Sequence, residues 1–224
     1  MKRTELWLAK LLAACIAVAA ATGGCRDASK PQIIGGLSDD LYPLGEGNRW
    51  VYSDRPKSGE IMPDRIRTVV GRVEYQGKQV WKLEDVAEDG RAPSEFVAWV
   101  DQEGLHIHQF DGVTHRDSVL PELRFPLFKG KKWEAMIKTY DGGHIRDEKW
   151  VYEVKGLESI ETPSGKHMAI RVDAFNYYGD DLENAFYRRT WYAPGFGVVR
   201  YQTGMGPEAD QRVLTLKRFK RAKL

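Results

Sequence analysis

The side chains with the widest chemical repertoire are sparse in this 224-residue chain, which has five histidines, two cysteines, and 32 carboxylates set against 34 lysines and arginines. His106 and His108 lie at i and i+2, which on a strand turns both imidazoles to one face and within reach of one ion. A metal site needs a third ligand. Neither His115, His144 nor any carboxylate can be placed beside the pair from sequence, and two imidazoles on a solvated strand face is the plainer account. Asp180-Asp181-Leu182-Glu183-Asn184 offers hard oxygen ligands but lacks the ordered spacing of a calcium loop, and reads as a solvated hairpin tip. The carboxylate pairs Asp39-Asp40 and Glu84-Asp85 can do acid–base work only where folding gathers them in a cleft. G-x-S-x-G, H-E-x-x-H, C-x-x-C and phosphate-cradling glycine loops are missing from the sequence. The expectation is a protein that is not an enzyme and carries no cofactor or metal.

The remaining chemistry belongs to a thiol, and its setting explains it. Met1-Lys2-Arg3 gives a basic start, Leu11 to Ala21 is an uninterrupted run of small and apolar residues, and Thr22-Gly23-Gly24 leads to Cys25. These are the three parts of a secretory leader. An apolar run of eleven residues rises only about 16 Å as a helix, roughly half of what a membrane-spanning anchor needs. Cys15 falls inside this leader, so Cys25 is the one thiol of the exported chain and has no disulfide partner.

Gly23-Gly24-Cys25 resembles the bacterial lipobox, although Thr22 stands where that pattern usually has an aliphatic residue. Leu12-Ala13-Ala14-Cys15 fits the pattern locally, but cleavage there would leave an apolar run broken by Lys10. The resemblance implies that residues 1–24 are removed and that Cys25 is acylated, which anchors the protein to a membrane without spanning it. Arg26, rather than Asp, follows Cys25. By similarity to lipoprotein sorting, this implies the periplasmic face of the outer membrane in a Gram-negative cell.

Without residues 1–24 the chain holds 31 basic and 31 acidic residues, which removes any charge argument for a nucleic-acid partner. Residues 25–41 read as a flexible tether reaching about 20–25 Å, and the folded domain is expected over residues 42–219. The charge that remains uneven lies at the end, in Lys217, Arg218, Lys220, Arg221 and Lys223. These read either as guards of an edge strand with a frayed tail at 220–224 or as contacts to anionic headgroups.

The apolar pattern of the domain has period two, as in Ile170-Arg171-Val172-Asp173-Ala174, and frequent glycines cut it into strand-length pieces. Ser118 to Leu123 is the one stretch that reads as a turn of helix. Pro43-Leu44-x-x-Gly47-x-x-Trp50 recurs as Pro126-Leu127-x-x-Gly130-x-x-Trp133, and Trp99 to Gly104 recurs as Trp191 to Gly197. Collinear matches of this kind predict two tandem repeats, at about 42–112 and 125–203, followed by an extra strand at 211–219. The predicted fold is all-β, a single curved antiparallel sheet or half-barrel of about eleven strands.

Tyr42-Pro43-Leu44 to Trp50-Val51-Tyr52, Thr162-Pro163-Ser164-Gly165 and Trp191-Tyr192-Ala193-Pro194-Gly195-Phe196-Gly197-Val198-Val199 resemble the DUF3108-like group of bacterial exported proteins and lipoproteins of unknown function. By weaker analogy, such sheets are similar to the half-barrels of periplasmic lipoprotein carriers, whose concave face is an apolar hollow. Trp50, Trp81, Trp99, Trp133, Trp150 and Trp191 read first as core and second as the lining of such a hollow. The expected activity is binding of an apolar or amphipathic envelope molecule, such as a lipid. The alternative is a structural lipoprotein acting through protein partners, and a hydrolytic enzyme ranks last.

Overall fold

The computed structural model describes residues 34, 38–110, 114–116, 119–141, 144–178, 181–205 and 212–223. The leader, Cys25 and most of the expected tether lie outside the described residues. One helical turn, α1 (Ser38–Leu41), precedes β1 (Arg49–Pro56), β2 (Arg65–Tyr75), β3 (Lys78–Ala87), β4 (Ser94–Val100), β5 (Gly104–Phe110), β6 (Thr114–Arg116) and β7 (Leu120–Arg124). Then follow β8 (Lys132–Asp141), β9 (His144–Thr162), β10 (Gly165–Tyr178), β11 (Asp181–Ala193), β12 (Gly197–Met205) and β13 (Arg212–Lys220). No helix among the described residues is long and apolar enough to cross a membrane.

All thirteen strands belong to one sheet, mostly in chain order. Two pairings curl it round. β13 lies beside β1, from Arg49↔Lys220 to Pro56↔Arg212, and β5 pairs with β4 on one edge and with β6 and β7 on the other. β6 in turn pairs with the far end of β8. The expected curved antiparallel sheet is present and goes further than a half-barrel, to a nearly closed barrel. Closure is incomplete between β7 and the start of β8, where the Trp133 indole donates to the Pro121 carbonyl at 2.7 Å.

Three local expectations are corrected. The described part of the stretch from Ser118 to Leu123 is strand rather than a helical turn: β7 runs through Leu120–Arg124, and its first four residues are buried. Pro121 is tolerated there because β7 pairs with β5 alone, so its missing N–H interrupts no second ladder. Residues ahead of position 42 also pack against the barrel. The Ile34 amide donates to the Leu127 carbonyl at 2.7 Å, the Gly195 amide donates to the Asp40 carbonyl at 2.6 Å, and Leu41 is buried in the core. Finally, β13 is not an edge strand, since β1 and β12 flank it.

Alternation then sorts the side chains into two layers. At the end of the barrel holding α1 and the turn into β1, the inner layer is apolar, with Trp50, Val69, Leu105, Leu123, Leu127, Val154 and Leu216 buried. Each aliphatic member contributes about 1.5–3 kcal/mol by leaving water. The outer face of β8 and β9 carries ion pairs instead, Lys149–Glu134 and Lys155–Glu153. Met136, Ile145 and Leu157 are exposed on the same two strands, so this wall mixes charged and apolar side chains.

The repeated sequence motif makes repeated backbone geometry. The Gly47 amide donates to Val69 O and the Val69 amide donates back to Asn48 O, at 2.8 and 2.9 Å; Gly130 and Val154 do the same with Lys131, at 2.8 and 2.9 Å. Residues 70 and 155 are each stepped over in their ladders, so β2 and β9 bulge just beyond these bonds.

Candidate functional site: an ion-paired cavity inside the barrel

Toward the opposite end the inner layer turns polar. Arg65 and Arg67 are two apart on β2 and therefore share the inner face, and Asp85 on β3 stands directly across from Arg67. Asp85 accepts from Arg65 Nε at 2.8 Å and from Arg67 Nε and Nη2 at 3.1 and 2.8 Å. Arg67 Nη1 donates to the Tyr42 hydroxyl at 3.2 Å, and its guanidinium lies over the Phe96 ring at 4.9 Å. On β11, Arg188, Thr190 and Tyr192 point inward by the same alternation and are buried. Arg188 Nη2 donates to Glu122 of β7 at 2.5 Å, and its guanidinium stacks 4.8 Å from the Trp150 ring. Arg212 of β13 forms a two-pronged pair with buried Asp54 of β1.

These groups surround a cavity of about 260 Å³. Its polar wall is Arg65, Arg67, Asp85, Glu122, Arg188 and Arg212, and its apolar wall includes Tyr52, Phe96, Ile107, Leu120, Val198 and Leu214. The Arg212 side chain keeps 45% of its surface exposed, whereas Arg188 and Glu122 keep 9% and 7%. The cavity therefore runs from a solvated rim at Arg212 to a deep pair at Arg188–Glu122.

Burial works against each charge, yet the pairs hold them. For Arg67, desolvation is outweighed by Tyr42 and Asp85, and for Arg188 by Glu122, so both guanidiniums stand above the ordinary arginine value. Burial raises the Tyr42, Tyr52 and Tyr192 phenols, which keeps them neutral. Removing one partner of such a buried pair leaves the other charge stranded, at a cost of about 3–5 kcal/mol.

The tryptophans singled out by sequence do not line this cavity. Trp50 is fully buried, stacks between Tyr42 and Phe219, and donates to Phe196 O at 2.6 Å. Trp133 stacks on Tyr152. Trp150 comes nearest, acting on the cavity through Arg188, and donates to Glu148 at 3.1 Å. Trp81 lies under Arg72 in an outer groove. Trp99 and Trp191 take the outer layer: Trp99 stacks on His106, and Trp191 donates to Glu158 between Arg171 and Arg200.

His106 and His108 share one face of β5, but each is engaged by other groups. His106 Nε2 lies 3.1 Å from Asp101, and the His108 ring packs on Tyr75 at 4.9 Å. Burial opposes the Asp101 charge, but the His106 hydrogen bond and the Glu103 and Gly104 amides prevail and hold its pKa below the usual carboxylate value. Among the described residues no three histidines, cysteines or carboxylates gather as a metal site. The side chains of His115, His144 and Asp180 to Asn184 lie outside the described residues. Glu84 and Asp85 face opposite layers, the first exposed and the second buried, so they do not act as a pair. Among the basic residues near the chain end, Lys217 pairs with Asp64 at 2.5 Å, while Arg218, Lys220, Arg221 and Lys223 are exposed.

A hydroxyl–imidazole contact not singled out by sequence, Ser164 Oγ to His167 Nε2 at 2.8 Å, sits at the turn into β10. Thr162 also engages Ser164 at 2.7 Å and the ring packs edge-on against Phe196, which makes it a turn lock. The cavity residues were missed for a different reason. Arg65-x-Arg67 and Arg188-x-Thr190-x-Tyr192 carry the right period, but polar residues at alternate positions ordinarily mark the solvated face.

No family model matches the chain, and no curated protein matches it. Two solved structures share its fold. One, described as a "putative lipoprotein" from Parabacteroides distasonis, superposes with a TM-score of 0.55 at 18% identity, covering 83% of this chain and 100% of that one. The other, a "putative exported protein with YmcC-like fold" from Bacteroides fragilis, superposes with a TM-score of 0.54 at 16% identity, covering 80% of this chain and 98% of that one.

Proposed function

We propose that the chain is a bacterial envelope lipoprotein, acylated at Cys25, that holds a small amphipathic molecule inside its barrel. The observation that carries the binding reading is the cavity of about 260 Å³, walled by aromatic and aliphatic side chains on one part and by ion-paired guanidiniums on another. Ligand sites commonly join an apolar wall to a few placed polar groups, at about 300–1,000 Å³. This one lies just below that range and is too charged for a long acyl chain, so the ligand is smaller and more polar than a membrane lipid. The fold shared with a "putative lipoprotein" and a "putative exported protein" supports the envelope setting, as does the leader ending in Gly23-Gly24-Cys25.

The anchoring geometry fits the same reading. The chain enters the barrel at Ile34 and α1, and the exposed Arg218, Lys220, Arg221 and Lys223 follow or close β13 at that same end, since Ala222 donates to Asn48. Basic groups beside a lipid tether favour anionic headgroups by about 1 kcal/mol each. We read the two matching corners as the trace of a tandem duplication, and the chain as a member of the DUF3108-like group acting at the periplasmic face of the outer membrane.

Mass spectrometry of the chain purified from bacterial envelopes tests both halves of the proposal. The mature amino terminus should be an acylated Cys25, and a non-denaturing spectrum should carry an additional small mass that denaturation removes. An unmodified thiol would refute the anchor. A chain without any non-covalent adduct would refute the ligand.

A further inference from the structure

We infer that the ligand is a small carboxylate whose anionic end is bound by Arg188, an inference that rests on the barrel cavity being a binding site. The cavity wall holds four guanidiniums, Arg65, Arg67, Arg188 and Arg212, and two carboxylates, Asp85 and Glu122. Asp54, just behind the wall, neutralises Arg212. Arg65 and Arg67 share the single carboxylate of Asp85, so the wall retains one uncompensated positive charge. Glu148 is not part of that wall, and its own partners, Trp150 and Asn176 at 3.1 and 2.9 Å, are neutral donors. A buried site with one surplus cation is completed by a monoanion. A neutral guest would leave the charge in place, and a dianion would reverse it.

Hydrogen bonding places the anion. Arg67 commits Nε and both terminal nitrogens to Asp85 and Tyr42, and Arg65 commits its own to Asp85 and the Ala92 carbonyl. Arg188 makes one hydrogen bond, through Nη2 to Glu122; its Nε is enclosed without a partner, and Nη1 is the donor left for a guest. A guanidinium carries five N–H donors in a planar fork that matches a carboxylate, so Arg188 has donors to spare. Its stacking on Trp150 and Tyr152 fixes the plane of that fork. Phe96, Ile107 and Leu120 supply the apolar wall that the rest of the guest requires. A volume of about 260 Å³ equals about nine water-sized groups, the scale of a carboxylate carrying one ring or a short alkyl tail.

Phenylacetate and its uncharged isostere phenylacetamide are suitable probes, titrated calorimetrically into the full-length chain. The carboxylate should bind about tenfold more tightly than the amide, as a hydrogen bond to a charged group requires. Glu122→Gln removes the internal competitor for Arg188 and should strengthen phenylacetate binding by about tenfold, while leaving phenylacetamide unchanged. The charge-balanced double variant Arg188→Met with Glu122→Gln leaves the surplus charge of Arg65 and Arg67 in place and should narrow the preference for phenylacetate over phenylacetamide. Equal affinity of the wild type for both probes would overturn the carboxylate assignment and leave the binding cavity standing. If neither probe binds a chain whose circular dichroism shows the native sheet, both readings fall. Should the double variant fail to fold, the Glu122→Gln titration decides alone, and an unchanged phenylacetate affinity overturns the assignment.

Discussion

At Pro43 to Trp50 and again at Pro126 to Trp133 the chain turns into a strand through matching bonds, and even side chains of different type are put to matching use. Asn48 Nδ2 donates to the Pro43 carbonyl at 3.0 Å, and Lys131 Nζ donates to the Pro126 carbonyl at 2.9 Å. Gly47 and Gly130 take the same left-handed conformation, with φ of 80° and 85°. The difference lies in what remains on the side chain. An amide has an oxygen as well as a nitrogen, and Asn48 Oδ1 accepts the Ala222 amide at 2.8 Å. An ammonium has only donors. The first corner therefore fastens the end of the chain and the second cannot. A Cβ at Gly47 would meet Ala222 at 3.2 Å, while one at Gly130 would meet nothing. One backbone design thus serves as a clasp in one place and as a plain bend in the other.

The largest effect should come from the tryptophan that ends each corner. Trp50→Ala and Trp133→Ala should each cost about 3–5 kcal/mol in denaturant unfolding. Trp50 should be the worse, because its stack includes Phe219 of the last strand. Equal costs would show that the clasp adds nothing to the corner.

Asn48→Lys should convert the first corner to the chemistry of the second. It keeps a donor for Pro43 and loses the acceptor for Ala222, so unfolding should weaken by about 1 kcal/mol. Amide exchange at Ala222 should rise while that at Val69 does not. If Val69 loses protection as well, the two corners are not interchangeable at this position.

The smallest effect is a pH-dependent one. Desolvation, reinforced by Arg124, holds the Lys131 ammonium below the ordinary lysine value of 10.5. The unfolded chain therefore takes up this proton first as the pH falls through 10.5, and below that window the charge costs the folded state stability. Lys131→Asn should stabilise the protein at neutral pH by less than about 0.5 kcal/mol, and the gain should vanish as the pH rises toward 10.5. A gain that persists at high pH would have another cause.

The corners were legible because turn glycines and strand-leading tryptophans are local features with fixed spacing. So was the strand period, which predicted the antiparallel sheet. The placement of β13 was not legible: its lysines and arginines suit an edge, and only the distant pairing of Arg49 with Lys220 makes it interior. The cavity was hidden for a related reason. Arg65, Arg67 and Arg188 become interior residues once closure of the barrel supplies Asp85, Tyr42 and Glu122 as partners, and those partners lie up to 66 residues away in sequence. Arg212 opens the basic last strand, yet it belongs to the rim of the cavity.

The pairing of β1 with β13 also sets an order on assembly. Its contacts join the beginning of the domain to its end, and such distant pairings form slowly because the intervening chain must be gathered first. Until residues 212–220 are available, β1 and β12 each present an open edge where β13 will sit, and an open edge invites pairing with another chain. The ring cannot be finished from its amino terminus onward as the chain emerges. The last strand is the keystone, so a chain shortened before β13 should aggregate, whereas one shortened after Lys220 should still close.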